Sequence, residues 1–124
     1  MVRTTTAAPA TSADPTVAEL PAAASRADAL FSACDGGAAA FTQSCLDGLA
    51  QADQILAGIS RLVVGLPASM STLRDISKAR TKAQTWPACT HSAAGSPQRI
   101  ACFDTLKFHF YTMAVQDDVA GLAN

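Results

Sequence analysis

The side chains best suited to chemistry in this sequence are four cysteines, two histidines and a late pair of aspartates. Cys89 and His91 form a Cys-x-His pair, and Cys102 follows 11 residues after the histidine. That spacing matches no ordinary structural zinc pattern, which draws two close pairs of ligands from one chain. Cys89 and His91 could also act as nucleophile and base. Side chains two residues apart need not meet, however, and no carboxylate nearby would orient the imidazole. His109 stands apart between Phe108 and Phe110, and reads as a partly exposed helix residue. Asp117 and Asp118 are adjacent, so on a helix they point in different directions and read as a solvated helix end. The sequence contains no glycine-rich phosphate loop, HExxH or GxSxG motif. It therefore predicts no catalytic residue, no cofactor site and no metal site.

The cysteines read mainly as small apolar packing residues carrying free thiols. If Cys34 and Cys45 lie on one continuous helix, its rise separates them by roughly 16 Å, too far for a bridge. Cys89 and Cys102 flank a loop and a helix start, so a bridge between them is geometrically allowed.

The elements that must position these groups are helical. The chain has 124 residues, enough for one domain, and 49% are hydrophobic, but 27 are alanine. Alanine adds little transfer free energy on burial, so such a core needs either close packing or a covering partner. Charged residues make up only 15%, below the roughly 25% of ordinary soluble domains. The net charge of -1 favours neither nucleic acid nor an anionic membrane as the main partner. No apolar run is long enough to span a bilayer, and the N-terminus lacks the apolar block of a secretory signal. The expected location is therefore the cytoplasm.

Residues 1–16, rich in Thr, Ala, Ser and Pro, read as a disordered arm, and 17–124 as a helical domain. Pro21 suits a first helical turn. From Cys34 onward, alternating steps of four and three fall on Cys34, Ala38, Phe41, Cys45, Gly48, Ala52, Ile55, Ile59, Leu62 and Leu66, all apolar or small. A period of about 3.5 residues describes an amphipathic helix packed against others, with supercoiling as one form of that packing. Leu46, Leu49, Leu56 and Val63 widen the stripe. Gly36 and Gly37 are a soft point, yet the repeat keeps phase across them and favours one long helix. Gly65 and Pro67 end it. Ser71 or Thr72 then starts a more basic helix with Arg74, Lys78, Arg80 and Lys82, whose cations read as a solvated face. Trp86 anchors its end. Residues 86–97 read as a connection. Ser96 and Pro97 open a last helix, running to about Leu122, whose face carries Ile100, Phe103, Leu106, Phe110 and Met113. No segment alternates cleanly enough to be a strand. The fold class expected is all-α: long amphipathic helices in an antiparallel hairpin or small bundle, with coiled-coil-like packing.

In its layout, residues 26–122 resemble the bacterial phasins, proteins of polyhydroxyalkanoate storage granules. The resemblance rests on ADALFSACDGGAAAFTQSCLDGLAQADQILAGISRLV, the polar helix STLRDISKARTKAQTW, and the tail SPQRIACFDTLKFHFYTMAVQDDVAGLA. Ser96, Pro97 and Gln98 match the way the last helix begins in that family, and Phe103, Leu106, Phe108 and Tyr111 its aromatic region. The four cysteines, Gly36-Gly37, Pro67 and low charge depart from it. The resemblance implies a non-enzymatic, granule-associated coat protein that binds apolar polymer, self-associates, and in some members influences polymerase or depolymerase. Its apolar interaction face would comprise Phe41, Ile55, Ile59, Leu62, Leu66, Phe103, Leu106, Phe110 and Met113. A generic helical homo-oligomeric scaffold or interaction module is the alternative on the residues alone.

Overall fold

The structure, a computed structural model, describes residues 14–67, 69–93, 95–102 and 107–123. Five α-helices are formed among them: α1 (Leu20–Ser32), α2 (Gln43–Val63), α3 (Met70–Thr90), α4 (Pro97–Cys102) and α5 (Phe108–Ala123). There is no strand among the described residues. The expected N-terminal arm lies mostly outside the described residues. At its edge, Asp14 and Arg61 form a forked ion pair at 2.6 Å that ties the segment ahead of α1 to α2.

The turn between α1 and α2 overturns the single long helix favoured by the sequence. Gly36 and Gly37 have φ of 107° and 72°. An L side chain there would bring its Cβ against the backbone carbonyl, so glycine is what permits the reversal. A short 3-10 turn covers Gly37–Phe41. Thr42 then adopts extended backbone, and its Oγ1 accepts the Cys45 N–H at 3.1 Å, capping α2. With the chain folded back, Cys34 and Cys45 stand 5.0 Å apart between Cα atoms and form a disulfide. Cys89 and Cys102 form the second, across 5.9 Å. All four cysteines are bonded, which corrects the expectation of free thiols. The 16 Å argument failed because its premise, helix continuity, failed.

Other boundaries move for local reasons. Residues 86–90, expected in a connection, belong to α3, which carries Pro87 within its last turns. The buried Trp86 and bridged Cys89 hold that end in place. The Arg99 guanidinium caps it, donating to the carbonyls of Cys89, Thr90 and Ser92 at 2.8–3.2 Å. Ser96 begins α4 as its sequence suggests, its Oγ accepting the Arg99 N–H at 3.1 Å. The last expected helix is two, because α4 ends at Cys102 and Lys107 is not helical. The α3 start lies at Met70, so Thr72 sits inside the first turn, buried, rather than at the cap.

Helix α1 packs on α2 and α5, α2 on α3, and α3 on α5. The four long helices thus close a ring in which successive members run antiparallel, as short connections favour. Phe31, Leu20, Leu49, Leu56, Ile59, Ile76, Val115 and Val119 are fully buried at its centre. Burial of each large side chain is worth about 1.5–3 kcal/mol. On α2 the buried stripe is Cys45, Gly48, Leu49, Ala52, Leu56, Ile59 and Val63. It keeps the expected alternation: Gly48 is buried as expected, Leu49, Leu56 and Val63 from the widened stripe are fully buried, and Ile55 and Leu62 are only partly buried against the core. The stripe divides between two neighbours, α1 and α3.

The α5 N-terminus is capped from across the chain. Asp35 accepts the Phe108 N–H at 2.7 Å and the His109 N–H at 3.3 Å. Its carboxylate meets both the free amides and the positive end of the helix dipole. Asp35→Ala is expected to cost about 1–2 kcal/mol in urea unfolding, with Asp35→Asn losing less; equal losses would show that the cap contributes nothing through its acceptor atoms.

Candidate interaction surface

The end of the bundle that holds both disulfides is an aromatic corner. Trp86, only 4% exposed, donates its Nε1–H to the Ala40 carbonyl at 2.6 Å. The Phe108 ring meets it edge-on with centroids 5.1 Å apart, and Phe41 lies tilted at 5.6 Å. The Lys82 ammonium sits 4.7 Å from the Trp86 centroid and 5.1 Å from that of Phe108. Arg99 lies over Phe41 at 4.7 Å. Each cation over a ring face is drawn by the ring quadrupole, worth about 0.5–1 kcal/mol where exposed. A cleft of about 330 Å³ opens beside this corner, walled by Phe41, Trp86 and Phe108 with Lys82, Lys107 and Asp35 at its margins. It is at the small end of ligand pockets. The cysteines that line it are bonded, and both Asp35 oxygens are engaged by α5 amides. Among the described residues that line it, the corner therefore offers apolar and cationic contact. No group of three or more metal-ligating side chains is gathered among the described residues. Bonding of Cys89 to Cys102 also removes the Cys89–His91 pair as a source of thiol chemistry.

The residues expected on an apolar interaction face are dispersed. Ile59 is wholly enclosed, so in the closed bundle it is core and not surface. Ile55, Leu62 and Leu66 are partly buried against that core. Phe41, Phe110 and Met113 stand about two-fifths exposed, at 41%, 39% and 39%. Phe110 and Met113 are three residues apart on α5, hence neighbours on one helix face. Phe103 and Leu106 lie outside the described residues. Four large exposed apolar side chains among the described residues were absent from that expectation: Val17 ahead of α1, Val64 and Met70 at the α2–α3 turn, and Ile100 on α4. Ile100 falls on a position of helical spacing, so periodicity alone assigned it inward.

The basic stretch divides. Arg74 and Lys78 are exposed, as a solvated face requires. Arg80 is paired with Asp53 of α2 at 2.8 Å, with Gln84 donating to the same carboxylate at 3.2 Å. Lys82 is committed to the aromatic corner. Charge counting could not separate these roles, because they depend on which flank of α3 meets α2 and α5.

Asp118 is not a solvated helix end. It is half-buried against α3, and its Oδ2 is buried without a hydrogen-bond partner. Burial, then the hydrogen bond and charge of Asp75, push its carboxyl from the usual 3.8 up to about 6, with Arg74 opposing and Asp117 adding weakly. Raised folded-state affinity for the proton stabilises the fold fully below about pH 4, and that stability is lost as pH rises through 6. Discounted for solvent screening, Asp118→Asn is expected to gain about 1 kcal/mol over the parent at pH 8 and almost nothing at pH 4. Urea unfolding at the two pH values measures this, and a pH-independent difference would contradict it.

No helix among the described residues is long and apolar enough to cross a membrane. No family model matches the chain, and neither a characterised protein nor a solved structure matches it.

Proposed function

We propose that this chain is a non-enzymatic helical protein that binds apolar surfaces, with the polyhydroxyalkanoate granule as the surface suggested by its resemblance to phasins. The observation that carries the reading is the exposure of large apolar side chains around a bundle whose core is already complete. Val64 is 67% exposed, Met70 84% and Ile100 60%, with Phe110 and Met113 side by side on α5. Val64, Met70 and Ile100 add little to internal packing, and this exposed apolar area suits lateral attachment, which scales with apolar area delivered to the surface. Low charge leaves little electrostatic preference and favours a neutral substrate.

A second reading, a helical module that binds itself or a partner protein, is favoured by the two disulfides. Bonded cysteines belong to oxidising surroundings, whereas a granule in the cytoplasm meets glutathione. The coat reading therefore requires a fold that also serves when reduced. Partition of the purified protein onto polyester particles, with and without reductant, separates the readings; retention in both states supports the coat. A sedimenting oligomer that ignores particles supports the module.

Phe110→Asp places a charge on the exposed α5 face and is expected to lower particle binding several-fold with the unfolding midpoint little changed. Ile55→Asp strikes the packed flank of α2 and should lower both, along with self-association. Particle binding and sedimentation unchanged by either substitution would remove the coat reading.

A further inference from the structure

The four long helices meet along four seams, and covalent structure protects three of them. The Cys34–Cys45 disulfide and a short loop join α1 to α2. The 64–69 turn joins α2 to α3. The Cys89–Cys102 disulfide holds α4, the segment leading to α5, on the end of α3. The α1–α5 seam brings together helices far apart in sequence, and no disulfide crosses it. Its described polar ties are the Thr112 hydroxyl donating to Asp28 at 2.8 Å and the Asp35 cap on the α5 amides. The buried residues of α1, shared between its contacts with α2 and α5, are Leu20, Ala23, Ala24, Ala27 and Phe31, three of them alanines. Parting α1 from α5 therefore exposes less apolar area on the α1 side than a leucine-rich helix would. On the opposite side of the ring, α2 and α3 are clamped by Asp53 with Arg80 and Gln84.

We propose that the bundle opens along the α1–α5 seam, with α2–α3 as the spine, and lays its inner apolar stripes on the apolar surface it binds. This rests on the surface-binding reading above and adds how the enclosed residues reach that surface. Opened, the chain presents Phe31, Leu56, Ile59, Val115 and Val119 together. These are core residues of three different helices that no rigid docking of the closed form could deliver. Both disulfides remain intact throughout, because neither crosses the parting seam.

The test uses the full chain on polyester particles. Asp28→Cys with Thr112→Cys, oxidised so that a third disulfide forms and verified by intact mass, locks α1 to α5. The locked protein is expected to lose most of its adsorption, and to regain it on reduction, with the parent adsorbing in both states. Asp28→Ala, which frees Thr112, supplies an independent measurement. It should adsorb faster than the parent, whereas Asp53→Ala, which loosens only the spine, should not. Area per adsorbed molecule should be about twice that of the closed bundle, since stacked helix pairs become a single layer. Adsorption by the parent with an equally adsorbing locked form would overturn the opening and leave the surface-binding reading standing. If the lock fails to form, an unchanged rate for Asp28→Ala would overturn it. A parent that never adsorbs would overturn both.

Discussion

Everything in this fold follows from a reversal that only two consecutive residues make possible. Gly36 and Gly37, both in the left-handed region, stop α1 and swing the chain so that α2 returns along it. A side chain at either position would cost about 1–2 kcal/mol through its clash with the backbone. Were the helix continuous, the stripe from Cys34 to Leu66 would lie on one long rod with a bare face. Because it is broken, α1 supplies Phe31 and Leu20 to cover α2, and Asp35, released from helical geometry, is free to cap α5. The turn thus sets the core, one disulfide and the seat of the last helix together.

The core so formed is built more from fit than from bulk. Alanines at 23, 24, 27, 52, 79 and 83 let helix backbones approach closely, and only a handful of large aliphatics fill the centre. Close approach gains dispersion contacts while removing modest apolar area from water. Polar groups inside are satisfied specifically: Thr112 by Asp28, and the Trp86 indole by the Ala40 carbonyl. Among the described residues Asp118 is the exception, with one carboxylate oxygen enclosed and unbonded beside Asp75.

The helical class and most segments could be read from residue spacing, because apolar periodicity reports burial directly. Pro21, Ser96-Pro97 and the Trp86 anchor were equally readable, since each acts through its own backbone or bulk. The α2 stripe was largely readable: Cys45, Gly48, Ala52 and Ile59 are buried as expected, as are Leu49, Leu56 and Val63 from its widened edge, while Ile55 and Leu62 sit at its margin, only partly buried. Periodicity fixes the repeat but not the rotation, which depends on how many helices flank the stripe. The cysteine pairing was hidden behind an assumption of helix continuity that in-phase apolar residues encouraged. Asp118 was hidden because its environment is made by a residue 43 positions earlier. The interaction face suffers most from this kind of blindness, because an apolar stripe looks alike whether its cover comes from its own chain or from elsewhere.

The nearness of the bridged cysteines in sequence, 11 and 13 residues apart, bears on how the chain matures. Four thiols allow three connectivities, and loop-closure entropy penalises the longer closures. The observed connectivity closes the two smallest loops, so random collision in the unfolded chain already prefers it. Oxidation need not wait for tertiary structure. The glycine reversal can be fastened early, leaving assembly of two pre-tied halves as the remaining search.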